Sequence, residues 1–176
     1  MNTELETKRL VLRQVKLSDA QTLFSYWSDP EVTKFMNIEP FQSLAQVEEM
    51  IAYLNELAEK EQAMRYTLLL KKTNQIIGTC GFNDVNFAHN RAEIAYELGR
   101  DFWRKGYASE AIPTLLDYGF HDLDVNRMEA KVEPQNVKSI KLLYKLDFTF
   151  EGTLRQYEKV NGTFIDLNMY SKLRDE

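Results

Sequence analysis

Segments with strand character and segments with helix character alternate along this chain, and their order limits the possible folds more than any other feature. Strand-like runs cover 9–15, 63–72, 75–85, 92–98, 127–133, and a last pair at 148–156 and 163–173. Apolar residues recur at helical spacing in 17–29, 43–62, 109–120 and 136–146. Hairpin signals occur at TNQ (73–75) and at the Asn161-Gly162 dipeptide. We therefore predict an α+β fold with a mixed, mostly antiparallel central sheet of about seven strands flanked by helices.

Composition excludes several classes of protein. The 176 residues are 44% hydrophobic and lack a Pro/Gly/Ser-rich linker, so we expect one domain over 1–176. The chain contains no run of eighteen apolar residues, so we predict no membrane span. The N-terminus lacks the apolar core of a signal peptide, so we expect a cytoplasmic protein. The net charge of −5 argues against nucleic acid as a partner and mildly favours a cationic one. Without a Cys/His cluster we predict no metal, and we place Cys80 in the core.

The junction FWRKGYASEA (102–111) lies between a predicted strand and a predicted helix. The first turn of a helix presents unpaired N–H groups and a partial positive charge, which suit a phosphate. Gly106 would let the backbone approach such a ligand, and Arg104 and Lys105 would add positive charge. The sequence contains neither a Walker motif nor G-x-G-x-x-G. Local composition also fits a simpler interpretation, in which the glycine is a turn residue and the cations are solvated.

A wider pattern favours the ligand-binding interpretation. AEIAYELGRDFWRKGYASEA (92–111), followed by NVKSIKLLYKLDF (136–148), resembles the GNAT superfamily of N-acetyltransferases, in the branch that contains the ribosomal-protein N-terminal acetyltransferases. In that family a Q/R-x-x-G-x-G/A turn binds acetyl-CoA, and here Trp103 takes the place of the usual Gln or Arg. The second family motif, N-x-x-A/S-x-x-L-Y-x-K-x-G-F, matches at Asn136, Ser139 and Phe148. Both ends of the chain also look like this branch, so the resemblance implies the GNAT acyl-CoA N-acyltransferase fold.

The resemblance implies a binding mode for acetyl-CoA as co-substrate. Its phosphates would lie on the strand-to-helix turn, whose residues are Trp103, Arg104, Lys105, Gly106, Tyr107, Ala108 and Ser109. The pantetheine arm would pair like an added strand with the backbone of Tyr96, Glu97 and Leu98. Asn136 would bond the arm from the other side or act as a helix N-cap. The acceptor would be a protein N-terminus or a small amine such as a polyamine or an antibiotic, and a family-like homodimer is compatible with the sequence.

Acetyl transfer needs a base for the amine and benefits from a proton donor for the departing thiolate. Glu93 is the candidate base and Glu97 the fallback; an exposed strand-end role for Glu93 is the alternative. Many relatives use the motif tyrosine as the donor, but counting back from Phe148 puts Leu143 at that position. Tyr144 is one residue later, about 100° around the helix.

Ser139, four residues before Leu143 and therefore on the same helix face, is the predicted donor, with water or a plain packing role as the alternatives. We expect direct attack of the amine on the thioester, with no covalent enzyme intermediate. Two other interpretations stay open: a non-catalytic acyl-CoA-binding sensor, and an unrelated nucleotide binder that uses the same helix start. The loops 28–42 and 83–91 are expected to decide the acceptor.

Overall fold

The computed structural model describes all 176 residues as eight strands and five α-helices. The strands are β1 (Glu4–Glu6), β2 (Leu10–Gln14), β3 (Met64–Leu70), β4 (Ile76–Asn86), β5 (Arg91–Leu98), β6 (Arg127–Val132), β7 (Thr149–Val160) and β8 (Thr163–Leu173). The helices are α1 (Ala20–Trp27), α2 (Pro30–Thr33), α3 (Leu44–Glu59), α4 (Tyr107–His121) and α5 (Val137–Lys145). The predicted α+β class with a mixed sheet is confirmed.

All eight strands form one sheet in the order β1-β2-β3-β4-β5-β6-β8-β7, in which only the β5–β6 pair is parallel. That parallel pair is short, because Arg91–Glu93 of β5 meets Arg127–Glu129 of β6 and no pairing follows. The remainder of β5, 94–98, and the remainder of β6, 130–132, therefore separate. We call this gap the β5–β6 opening. It leaves peptide groups in the middle of the sheet without a strand partner.

Helices cover both faces of the sheet. The larger core of 26 buried residues lies on the side of α4 and α5 and includes Tyr66, Phe82, Ile112 and Leu115. The smaller core of six residues joins α1 and α3 to the other face and includes Trp27. Cys80 belongs to the larger core, as predicted, and burial raises the pKa of its thiol to about 12. None of the helices is both long enough and apolar enough to cross a lipid bilayer.

Local sequence signals account for several element ends. The Ser43 hydroxyl accepts a hydrogen bond from Gln46 N–H at the start of α3, and the Gln46 side chain bonds back to the Ser43 N–H, which is a capping box. Asn161 and Gly162 have φ values of 49° and 80°, as the predicted two-residue turn between β7 and β8 requires. These signals fix the start of α3 and the turn between β7 and β8.

Candidate functional site

The strand-to-helix turn after β5 has a backbone that only a few residue types adopt easily. A short 3₁₀ turn, Arg100–Phe102, follows β5, and α4 begins at Tyr107 after Gly106, whose φ is 77°. A Cβ built on Gly106 would have one neighbour within 4 Å, Arg9 Nη2 at 3.5 Å. The space beside the turn is therefore open. As at any helix start, the first N–H groups of α4 have no partner within the helix, so they are available to an anion.

Arg9, which the sequence prediction did not include, fixes this turn to the start of β2. Its Nη1 donates to the Lys105 carbonyl at 3.1 Å, and its guanidinium lies 4.6 Å from the Tyr107 ring centre. Its Nε lies 2.5 Å from Glu110 Oε2. Burial acts to raise the pKa of Glu110, but hydrogen bonds from Thr7 and Arg9 lower it overall. The carboxylate in the first turn of α4 is thus already paired with a cation, which reduces its repulsion of a phosphate.

The β5–β6 opening leads directly to this turn. A Cβ on Gly78 would lie 2.2 Å from the Glu97 carbonyl oxygen, so that carbonyl points towards β4. Peptide groups alternate along a strand, which directs those of Tyr96 and Leu98 towards the opening. The Leu98 carbonyl accepts a hydrogen bond from Trp103 Nε1 at 2.8 Å. The peptide groups that remain free for an added strand are therefore those of Tyr96 and the Leu98 N–H, whereas the Glu97 carbonyl, in a residue also predicted to pair, faces β4.

Trp103 also connects the turn to α5. Lys138 Nζ lies 4.0 Å from the centre of the indole ring, a cation–π distance. Trp103 therefore joins the end of β5, through Leu98, to the first turn of α5.

The Glu97 side chain is buried in an internal network. Its carboxylate accepts hydrogen bonds from Trp27 Nε1, at 3.0 Å, and from Thr79 Oγ1, and Arg65 Nη1 lies 3.6 Å away. Burial raises the pKa of Glu97, and Arg65 and the two hydrogen bonds oppose that shift only partly. The carboxylate holds α1 against the sheet, so it is poorly placed to serve as the fallback base.

Glu93 belongs to a group of three partly buried carboxylates. Its Oε2 accepts a hydrogen bond from Lys131 Nζ at 2.6 Å. Burial raises the pKa of Glu158, and the charge of Glu93 adds to that shift. Burial and the charge of Glu158 likewise raise the pKa of Glu133. We call Glu93, Glu133 and Glu158 the acidic group. It borders the 28–42 segment, which was predicted as a loop but contains α2, because Asn37 Nδ2 donates to Glu158.

Neither Glu133 nor Glu158 was predicted from the sequence. Glu133 follows β6, whereas Glu158 lies near the far end of β7. Their closeness to Glu93 on β5 follows only from the order of strands in the sheet, in which β6 lies next to β5 and β8 lies between β6 and β7. No spacing rule along the chain could have joined three carboxylates so far apart.

The helix register of α5 agrees with the sequence prediction. Leu143 is fully buried, whereas Tyr144 is 54% exposed and contacts Tyr170 edge-on with ring centres 5.7 Å apart. The Ser139 hydroxyl lies 2.7 Å from the Tyr96 hydroxyl. Asn136 Oδ1 accepts from the Ser139 N–H at 3.2 Å, so Asn136 is the N-cap of α5. Ser139 therefore faces β5, and Tyr144 does not.

Comparison with known proteins agrees with these features. Residues 9–149 match the family model described as an acetyltransferase (GNAT) domain. A Bacillus licheniformis protein named "uncharacterized N-acetyltransferase p20" is 54% identical over 172 residues, which cover 98% of this chain and 97% of that protein. Spermidine N(1)-acetyltransferase from Vibrio cholerae is 25% identical over 172 residues, covering 95% and 91% of the two chains.

A solved structure has the same fold. RimL, a ribosomal L7/L12 alpha-N-protein acetyltransferase determined in complex with coenzyme A, superposes with a TM-score of 0.88 at 22% identity over 97% of each chain. The family match extends over most of the chain and includes both the turn before α4 and the whole of α5. This chain belongs to the GNAT family of acetyltransferases.

Proposed function

We propose that this protein transfers the acetyl group of acetyl-CoA to a primary amine by direct attack of the amine nitrogen on the thioester. The observation that carries the proposal is the continuity of two features. The peptide groups of Tyr96 and the N–H of Leu98 border the β5–β6 opening without a strand partner, and that opening leads to the exposed first turn of α4. An amide-containing arm attached to a diphosphate has the shape and chemistry to occupy both. We also propose that 1–176 is one catalytic domain, because the single sheet includes strands from both ends of the chain.

The coenzyme would be held mainly by backbone groups. Its phosphates would accept hydrogen bonds from the amides of 104–109, with Arg104 and Lys105 beside them. Its arm would bond to Tyr96 and Leu98 on one side. Asn136 uses Oδ1 for the N-cap, and its Nδ2 has no partner within the protein, so Nδ2 can donate to an arm carbonyl.

The acceptor nitrogen must lose a proton before or during attack. Glu93 is the proposed base, acting directly or through one water, and Lys131 keeps its carboxylate in place. The other two members of the acidic group, Glu133 and Glu158, would attract the protonated amine to this side of the sheet. The approach of a cation is favoured, and its deprotonation takes place beside Glu93.

A protein N-terminus is the first candidate acceptor. An α-amine has an ordinary pKa of about 7.7–8.0, against about 10.4 for a lysine side chain, so less work is needed to deprotonate it. RimL, which shares this fold, is named for transfer to such an amine.

A polyamine is the second candidate, and two observations favour it. Three carboxylates lie together near the 28–42 segment, and a spermidine acetyltransferase is similar over nearly the whole chain.

A panel of acceptors tests the proposal. The protein is incubated with acetyl-CoA and with short peptides bearing a free N-terminus, the same peptides with a blocked N-terminus, spermidine, and an aminoglycoside. Free thiol and acetylated product are then measured. We expect thiol release that depends on a free amine. Tight CoA binding without thiol release on any acceptor would favour the sensor, and binding of ATP in preference to CoA would favour the nucleotide binder.

The acidic group offers a second way to distinguish a polyamine acceptor from a peptide acceptor. Glu158→Gln should raise the KM for a polyamine more than the KM for a peptide, because a polyamine carries more positive charge. The affinity for CoA should not change in this variant, since the acidic group lies away from the turn before α4. Equal KM values in the variant and the wild type would argue against a polyamine acceptor.

A further inference from the structure

One hydrogen bond crosses the β5–β6 opening. Beyond Glu93, the two strands no longer pair, and the only hydrogen bond between 94–98 and the β6–α5 segment joins the hydroxyls of Tyr96 and Ser139 at 2.7 Å. Tyr96 reaches across from β5, and Ser139 is the third residue of α5. The pair therefore lies where the pantetheine arm would pass between the strands.

The departing thiolate needs a donor that the usual motif position does not supply. Leu143 occupies that position and is fully buried, and Tyr144 points away and contacts Tyr170. Ser139 faces the opening, but an alcohol alone is a weak acid. A phenol, with an ordinary pKa of about 10, is a much better source of a proton. The hydroxyl pair brings a phenol within one hydrogen bond of Ser139.

The surroundings of Tyr96 keep its phenol protonated at neutral pH. Burial raises the pKa of Tyr96, and the hydrogen bond with Ser139 opposes that shift only partly. The amide of Ser139 is meanwhile held by the Asn136 side chain, which fixes the first turn of α5. The two hydroxyls thus have a defined separation and a proton available to pass on.

We infer that Tyr96 and Ser139 form a two-hydroxyl relay that protonates the sulfur of the departing coenzyme. This inference rests on the proposed acetyl transfer. As the carbon–sulfur bond breaks, sulfur keeps the bonding electron pair and takes the Ser139 proton, and the Tyr96 proton moves to Ser139 Oγ. Tyr96 regains a proton from solvent, and the base that took the amine proton releases one to solvent. Tyr96 acts through Ser139 and is therefore a positioning residue.

The thiol of bound CoA gives a test that needs no amine acceptor. The complexes of CoA with wild type, Tyr96→Phe and Ser139→Ala are titrated with base, and the ultraviolet absorbance of the thiolate is followed. Complexes with desulfo-CoA are subtracted to remove the protein's own tyrosines. A hydroxyl that donates to the thiolate lowers the pKa of that thiol. We expect the pKa to be about one unit higher in Tyr96→Phe than in wild type, because Ser139, which donates to the thiolate, loses its own hydrogen-bond donor, and a hydrogen bond to a charged group is worth about that much.

Tyr144→Phe is the matched control, because it removes a tyrosine hydroxyl from α5 on a face that does not meet the opening. Its bound CoA should titrate as in wild type. Ser139→Ala should raise the thiol pKa at least as much as Tyr96→Phe, and the double variant should raise it no further than Ser139→Ala. Identical titrations for wild type and Tyr96→Phe would overturn the relay.

Measurements of turnover distinguish the relay from a purely structural role of Tyr96, and they test the proposed function separately from the relay. In Tyr96→Phe, kcat should fall about tenfold while the KM for acetyl-CoA changes little, because the lost hydrogen bond supplies a proton to Ser139 and does not bind the coenzyme. A raised KM with an unchanged kcat would indicate a structural contact and overturn the relay. A shifted thiol pKa in a protein that acetylates no amine would support the hydroxyl contact with sulfur and contradict the acetyltransferase proposal.

Discussion

Replacing Gly106 by glutamate tests the predicted phosphate site. The φ of 77° at this position is left-handed, and a Cβ there would meet only Arg9 Nη2, at an ordinary contact distance of 3.5 Å. The cost to folding is therefore that of the backbone conformation, about 1–2 kcal/mol for a residue with a side chain. In a domain of this size that lowers the melting temperature by roughly 2–8 °C, so the variant should still fold.

The effect on coenzyme binding should be larger than the effect on folding. A carboxylate near 4 Å from each of two phosphate charges adds about 1 kcal/mol of repulsion per pair in water, or about 2 kcal/mol in all. That energy corresponds to an affinity for CoA that is about thirtyfold lower, before the bulk of the side chain is considered. Gly106→Ala lacks the charge and should lose only a few-fold in affinity, about 1 kcal/mol.

Calorimetric titration with CoA measures the affinity of each variant for the coenzyme, and a thermal melt measures its stability. Gly162→Glu is the matched control, since Gly162 has a φ of 80° and no atom within 4 Å of its built Cβ. It lies in the β7–β8 turn, so it should show a similar loss of stability with unchanged CoA affinity. A folded Gly106→Glu protein that binds CoA as tightly as wild type would refute the placement of the phosphates.

Three further experiments test the catalytic and structural assignments. Glu93→Gln should lower kcat by about 10²–10⁴ with little loss of CoA affinity, measured by thiol release and calorimetry; a normal kcat would remove Glu93 from the mechanism. Ser139→Ala should slow turnover more than Tyr144→Phe, and the reverse ranking would show that the inferred roles on α5 are wrong. Asp19→Asn should lower the unfolding free energy by about 3 kcal/mol at neutral pH, because it leaves Arg13, 2.6 Å away, without its partner.

The Asp19 variant also has a predicted pH dependence. Burial raises the pKa of Asp19, but hydrogen bonds from Arg13, the Lys16 N–H and Thr67 lower it below the ordinary value overall. Its stabilisation is therefore complete above the ordinary carboxyl pKa and is lost as the pH falls through the lower folded value. Urea unfolding of wild type and Asp19→Asn between about pH 7 and pH 3 should give curves that converge towards acid. A constant gap between the curves would contradict this assignment.

The secondary structure was largely predictable, because hydrophobic period and turn chemistry are local. The predicted strand 92–98 is observed as Arg91–Leu98, and the predicted helix 43–62 as Leu44–Glu59. The three-residue β1 was missed and makes the sheet eight strands rather than about seven. A strand this short has no measurable alternation of its own and depends on pairing with β2.

The candidate site was less predictable where it depends on contacts between distant segments. The turn at 103–109 carries its own signature in glycine, small residues and cations. By contrast, the contact of Arg9 with Lys105 and the bond of Tyr96 with Ser139 join residues that are 96 and 43 positions apart. Such contacts follow from the order of strands in the sheet, which the sequence pattern leaves open.

A crystal structure of the protein with acetyl-CoA tests the central claim most directly. The account predicts the diphosphate on the main-chain amides of 104–109 and the pantetheine arm in the β5–β6 opening, with its sulfur beside Ser139. Acetyl-CoA bound elsewhere, with the turn before α4 empty, would contradict it.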